Sequence, residues 1–211
     1  MNYEKIAGKA MKGTTTIGII CSDGVVMGAD SRATMDTFIA SSEAVKIYKI
    51  NDRLGLTVAG DVGSAEYLAK LLQIQNSSYM MEEKVPLNPT SATSILHIIL
   101  QENKMFPFLV QLLVGGFNRD TPELYSIDPI GGYIKESKFA STGSGSLTAL
   151  GYLEDNYKKD MTTQEATKIV AKGLKIAMKR DSATGDRINI VTITKSGYRE
   201  LSGEEIEKLL K

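Results

Sequence analysis

Three consecutive threonines, Thr14-Thr15-Thr16, follow Gly13 near the start of the chain. Each carries a hydroxyl that could attack a carbonyl carbon, provided a base takes its proton. The usual base is scarce: His97 is the only histidine, and it falls in a helix-like stretch, so no Ser-His-Asp arrangement is available. A single histidine also argues against a histidine-rich metal site, and no metal is expected. The single cysteine, Cys21, excludes an internal disulfide and reads as a small buried residue. Taken alone, the threonine run suits a β-strand and Gly13 suits a turn. A lone lysine or aspartate is ordinarily a solvated surface charge. Any chemistry must therefore come from a combination of residues held together by the fold.

Composition narrows the classes that fold could serve. The 211 residues are enough for one sizeable core, with 42% hydrophobic and 24% charged residues. Lys plus Arg (25) balance Asp plus Glu (25), so no overall field favours nucleic acid or an anionic membrane. Apolar runs such as 108–114 are too short to span a bilayer, and residues 1–13 lack the apolar stretch of a secretory signal. A cytoplasmic protein without nucleic-acid or membrane partners is expected. The nine methionines, Met80 and Met81 among them, read as core or subunit contacts.

The elements that must position the site follow from period and punctuation. Residues 14–21 and 25–30 are β-branched and apolar around the turn Ser22-Asp23-Gly24, which predicts a hairpin. Residues 45–50 and 54–60 form a second pair around Asn51-Asp52-Arg53. After Asp61, a helix cap, Ala65, Leu68, Ala69 and Leu72 recur at helical spacing. A second helix opens near Pro89 with Ala92, Ile95, Leu96, Ile99 and Leu100 on one face. Residues 108–117 read as a strand covered on both sides, followed by short strands near 123–127, 132–135 and 137–141. Ser146, Ala149, Leu150 and Leu153 mark a third helix, and the capping box Thr162-x-x-Glu165 opens a fourth. A strand at 188–194 and a terminal helix from Ser202 complete the chain. Runs of strands and helices segregated in this way predict layered α+β packing in a single domain.

Several blocks then agree in order. Gly13-Thr14-Thr15-Thr16, Gly28-Ala29-Asp30-Ser31-Arg32, Lys46 and Val58-Ala59-Gly60 are followed by Ala140-Ser141-Thr142-Gly143-Ser144-Gly145-Ser146 and Arg180-Asp181-Ser182-Ala183-Thr184-Gly185. Together they resemble the catalytic β-subunit family of the proteasome core particle, of archaeal type, over nearly the whole chain. The resemblance implies the N-terminal-nucleophile hydrolase fold, a four-layer αββα sandwich of two stacked antiparallel sheets flanked by helices. It also implies a threonine endopeptidase that hydrolyses unfolded proteins and needs no cofactor. The expected division is a propeptide, 1–13, removed by autocatalysis, and a hydrolase domain, 14–211.

The residue roles come with the resemblance. Thr14 would be the nucleophile and, once cleavage at Gly13-Thr14 frees its amine, also the base. An α-amino group has an ordinary pKa of about 7.7–8.0, suited to that work near neutral pH. Lys46 would favour the neutral amine and lower the hydroxyl's effective pKa, with Asp30 keeping the lysine charged and oriented. Ser144 and Asp181 would hold the amine and hydroxyl. Thr184 stands where the family often has serine, and it retains the hydroxyl. The Gly60 backbone N–H would serve as the oxyanion hole. Ala33, Ala44, Tyr48 and Val58 would line the first specificity pocket, with Thr34 and Gly60 beside the substrate backbone. Small and medium apolar walls predict cleavage after large hydrophobic residues.

The expected partners are proteasome α-subunits and other β-subunits in seven-membered rings, four of them stacked, with a regulatory ATPase acting through the α-ring. A non-catalytic ring subunit of the same fold is disfavoured because Thr14, Asp30, Lys46, Ser144 and Asp181 are all present. A bacterial two-ring protease partnered by an ATPase shares the threonine and lysine motifs. The blocks at 141–146 and 180–185 fit the proteasome family better, and sixfold rather than sevenfold rings would favour the bacterial type.

Overall fold

A computed structural model describes residues 13–35 and 38–211. The segment expected to be removed therefore lies, apart from Gly13, outside the described residues.

The opening hairpin forms as β1 (Thr16–Ile20) and β2 (Gly24–Asp30), antiparallel about the Ser22-Asp23 turn. These strands sit in a five-stranded sheet of order β10-β1-β2-β11-β12. Its other members are β10 (Phe139–Thr142), β11 (Ile188–Thr194) and β12 (Gly197–Glu200). The second sheet runs β5-β6-β7-β8-β9. It comprises β5 (Ile47–Asn51), β6 (Leu54–Gly60), β7 (Val110–Asn118), β8 (Thr121–Ile127) and β9 (Tyr133–Glu136). A separate small hairpin, β3 (Ala33–Met35) with β4 (Phe38–Ser41), stands outside both sheets.

Side-chain alternation sorts the core into three layers. Val25, Met27, Leu113, Leu124 and Ile193 pack between the sheets. The outer face of the first sheet, with Ile17, Ile19, Val26 and Ile190, is covered by α3 (Ser146–Asn156) and α4 (Thr163–Arg180). The outer face of the second, with Leu56, Val58, Leu112 and Val114, is covered by α1 (Val62–Glu83) and α2 (Pro89–Glu102). Both faces of each sheet are buried, which explains why β7 reads as continuously apolar. The result is the αββα sandwich that the family resemblance implies, closed by the short helix α5 (Gly203–Leu209).

Helix entries follow local chemistry. The Asp61 carboxylate accepts from Ser64 N at 2.8 Å and starts α1 directly after β6. Thr162 and Glu165 complete the capping box of α4, and Asp23 Oδ1 accepts from Thr163 N at 2.7 Å, tying the helix to the β1–β2 turn. Met80 and Met81 on α1 are both exposed, so they do not serve this chain's core.

Candidate active site

Registers bring the motif blocks to one end of the sandwich. Thr16 lies opposite both Ala29 and Thr142, and Asp30 lies opposite Ile188. The start of β1, the end of β2, the loop after β10 and the loop before β11 therefore meet beyond the same sheet edge. From the facing sheet, β6 ends there at Gly60, and Lys46 precedes β5. Residues separated by more than 160 positions converge because antiparallel strands return to the same end.

Asp30 is wholly buried and accepts four hydrogen bonds. Oδ1 takes Thr15 N and Lys46 Nζ, each at 2.9 Å. Oδ2 takes Gly185 N at 3.0 Å and Arg32 N at 3.1 Å. One carboxylate thus ties the residues just before β1 and β5 and the loop before β11 to the end of β2, which compensates its burial.

Lys46 is 5% exposed, and three acceptors surround its ammonium: Asp30 Oδ1 at 2.9 Å, Arg32 O at 2.6 Å and Gly13 O at 3.0 Å. Burial lowers its pKa from the ordinary lysine value, and the Asp30 charge and hydrogen bond oppose that shift. The Thr14 hydroxyl donates to the same Gly13 carbonyl at 2.5 Å. Gly13 itself has φ +107°, a conformation L side chains rarely adopt, and a Cβ there would lie 2.8 Å from Ala183 O.

Around the Thr14 nitrogen the arrangement is equally local. Thr14 N donates to Ser144 Oγ at 3.3 Å. Ser144 Oγ in turn donates to Asp181 Oδ2, an oxygen that also accepts from Thr184 Oγ1 at 2.6 Å. Thr184 Oγ1 pairs with Thr15 Oγ1 at 2.8 Å. The polar groups at 144, 181 and 184 thus form one chain of hydrogen bonds beside Thr14.

A hollow of about 450 Å³ opens directly on Thr14. Gly13, Ala33, Thr34, Ala44, Lys46, Val58 and Gly60 are part of its lining, and Gly60 has φ +132°.

Comparisons with known proteins bear on this arrangement. A family model described as proteasome subunit matches residues 10–193. A protein of Ferroglobus placidus named "Proteasome subunit beta" is 47% identical over 205 residues, which is 97% of this chain and 98% of its own length. Its namesake in Archaeoglobus profundus is 46% identical, covering 98% of this chain and 96% of its own. Another, in Methanothrix thermoacetophila, is 46% identical over 96% of this chain and 98% of its own. The chain belongs to the proteasome β-subunit family.

Of the residues singled out from the resemblance, Gly13 and Ser144 bond to Thr14 itself, Lys46 shares the Gly13 carbonyl with it, Gly60 lines the same hollow, and Asp30, Asp181 and Thr184 bond to these neighbours or to Thr15. Tyr48 is the exception among the pocket residues. It is not part of the lining; its side chain packs against the core beneath α1 and its hydroxyl donates to Val45 O at 3.1 Å. The reason is distance along the strand: Tyr48 pairs with Leu56, one step of the same face beyond Val58 and further from the end of β6 where the hollow opens.

The β-subunit site also contains residues that sequence reasoning did not single out. Met35 and Ala40, from the β3–β4 hairpin, together with Val45, Asp61, Val62 and Ala65, complete the hollow. The hairpin strands are only three and four residues long, too short for a periodic signal. Arg32, quoted in the resemblance without a role, grips Asp186 with Nε at 3.0 Å and Nη2 at 3.1 Å, and gives Nη1 to Ser182 O at 2.8 Å. That grip holds the 181–186 loop against β2. Gln111 accepts from Gly143 N at 3.0 Å. Its signal was a single polar residue at the start of an otherwise apolar strand.

Among the described residues, no cluster of His, Cys, Asp and Glu is suited to a metal ion, and no helix is long and apolar enough to cross a membrane. Cys21 lies buried far from this chemistry; burial, then Asp23 and Glu165, push its thiol up to about 12. It is not a nucleophile at neutral pH.

Proposed function

We propose that the chain is a threonine-type endopeptidase subunit of the proteasome, activated by cleavage of its own Gly13–Thr14 bond. The observation that carries this reading is convergence on one peptide group. The Thr14 hydroxyl and the Lys46 ammonium both meet the Gly13 carbonyl oxygen, at 2.5 and 3.0 Å.

In self-cleavage, Thr14 Oγ bonds to the Gly13 carbonyl carbon while Lys46 stabilises the charge growing on its oxygen. The C–N bond to Thr14 breaks, and the hydroxyl proton ends on the departing nitrogen. Water then hydrolyses the resulting ester, releasing a carboxylate at Gly13 and restoring the hydroxyl. While Gly13 is attached, Thr14 N is an amide that donates to Ser144 and has no basic lone pair to offer. Freed, it becomes an amine held by the Ser144–Asp181–Thr184 chain and kept neutral by the nearby lysine charge.

In peptide hydrolysis, Oγ attacks the substrate carbonyl, the amine takes the proton and passes it to the leaving nitrogen, and water cleaves the acyl ester. The Gly60 N–H is assigned to the substrate oxyanion. The mainly apolar walls of the hollow, Ala33, Ala44, Val45, Val58 and Val62, suit a large hydrophobic side chain before the scissile bond. Thr34 and Gly60 are assigned to the substrate backbone.

Assembly is part of the same proposal: seven-membered β-rings, α-subunit rings outside them and an ATPase feeding unfolded chains, in the cytoplasm. Supporting it, Met35, Phe38, Met105, Phe106 and Leu147 are each at least 69% exposed, more apolar surface than an isolated chain needs. The test is the intact mass of Thr14→Ala after mixing with α-subunits in protease-free buffer. Residues 1–13 are expected to stay attached and peptidase activity to vanish. Normal removal in that variant would refute self-cleavage. Fluorogenic peptides with aromatic, basic and acidic residues before the bond test the pocket, and a dominant acidic preference would overturn its assignment.

A further inference from the structure

We propose that Gln111 is a positioning residue for the Thr14 amine, acting through the loop that carries Ser144. The inference rests on the peptidase reading above and adds a residue to it. On β7, residues 111, 113, 115 and 117 face the first sheet; Leu113 and Phe117 there are core, and Gly115 packs near Met27 and Val25. Gln111 is the polar member of that face, at the end beside Thr14, and it lies opposite Ala59.

Its side-chain oxygen accepts Gly143 N at 3.0 Å. Gly143 has φ +92°, and the side where a Cβ would stand packs against two other residues. A Cβ added there would fall 2.8 Å from the Thr14 carbonyl carbon and 3.3 Å from the Ala59 methyl. The next residue is Ser144, which holds Thr14 N at 3.3 Å and touches the Thr14 carbonyl at 3.4 Å. Thr14 and Ala59 leave no room where a Cβ would stand, and Gln111, the strand neighbour of Ala59, fixes the Gly143 N–H. Without an acceptor at 111, the Gly143 N–H is unpaired. Beyond Ser144's own contacts with Thr14, the loop then keeps only the Ser144–Asp181 bond and the long Gly145 N–Thr14 O contact at 3.5 Å to hold Ser144 at the amine. A displacement of about 1 Å at a reacting group is enough to cost roughly a hundredfold in rate.

Two variants in the assembled, processed particle separate this from a packing role. Gln111→Leu keeps the bulk and removes the acceptor. Gln111→Glu keeps the acceptor and adds a negative charge close to the amine. Parent, both variants and Thr14→Ala are compared by steady-state peptide hydrolysis across pH, after assembly is checked by size exclusion. Gln111→Leu is expected to lower kcat about tenfold to a hundredfold with KM little changed. Gln111→Glu is expected to recover kcat to within about threefold of the parent at its optimum, with the acid limb displaced to higher pH. That direction follows because the added anion favours the protonated amine, which is not a base.

Parent-like kcat in Gln111→Leu, or equal losses in both variants with the parent pH profile, would overturn the inference. If Gln111→Leu fails to assemble, Gln111→Glu decides alone, and an unmoved acid limb counts against the proposal. A parent particle no more active than Thr14→Ala would instead sink the peptidase reading itself, so the two failures are distinguishable.

Discussion

At the scale of single residues, the site is governed by one buried charge pair. Lys46 and Asp30 lie 2.9 Å apart, both at most 5% exposed, and each has further partners that make burial tolerable. Burial pulls the Lys46 pKa down, and Asp30 holds it up. Replacing Asp30 with Asn removes that support, so Lys46 loses its proton at lower pH. A peptidase that needs the charged lysine then loses activity as pH rises through that lowered value. Asp30→Asn is therefore expected to cut kcat/KM by at least about a hundredfold and move the alkaline limb to lower pH. A pH series of peptide hydrolysis reads both effects, and an unmoved alkaline limb would contradict the role given to Asp30.

At the scale of elements, helix α2 meets the second sheet through a buried carboxylate. Glu123 on β8 accepts from Thr90 Oγ1 at 2.7 Å and pairs with Lys135 of β9 at 2.6 Å; the Tyr125 hydroxyl adds a third contact at 3.3 Å. Burial would raise its pKa, but the Lys135, Thr90 and Tyr125 hydrogen bonds outweigh it and hold the carboxyl below the ordinary value of 4.5. A carboxylate depressed in the folded state contributes stability that is complete above its unfolded pKa. That contribution is lost as pH falls through the folded value. The parent should therefore lose Tm relative to Glu123→Gln as pH drops below about 4.5. Parallel Tm curves for the two proteins across that range would show that Glu123 does not carry this linkage.

Legibility also divides at this scale. Helices with a cap and a strong period, such as α4 with its Thr162–Glu165 box, were readable to within a residue or two. So was β11, whose seven residues are consecutive apolar and β-branched types apart from Asn189. The strands β3, β4 and β12 were not: three or four residues carry no period of their own, and among strands that short only β9 and β10, which follow β8 in close succession, were read. Missing β3 and β4 hid Met35 and Ala40 from the pocket.

For the whole molecule, stability rests on three apolar layers, and the layer between the sheets sets their separation. Ile193 is fully buried there, with its Cδ1 3.0 Å from where a Cβ on Gly55 would sit. Ile193→Ala is expected to cost about 2–5 kcal/mol, since the flanking sheets cannot collapse into the space. Chemical denaturation of the variant measures it, and a loss below about 0.5 kcal/mol would mean the layer repacks freely. Exposed Phe106, Met105 and Phe38 belong to this scale too, as surface an assembly would cover.

The candidate residues around Thr14 came from the resemblance to the family; the sequence by itself determined the order of the longer elements and their layered class. These depend on local period, capping and residue type, which neighbouring positions carry. Only the tertiary structure decided which of those residues touch. It put the Lys46 ammonium and the Thr14 hydroxyl on one carbonyl oxygen, left Tyr48 outside the lining of the hollow and set Gln111 against the Ser144 loop. Contacts of that kind depend on strand register and on which face of a sheet each side chain leaves from. Register is a property of paired strands far apart in the chain, fixed only when both sheets close on their common core.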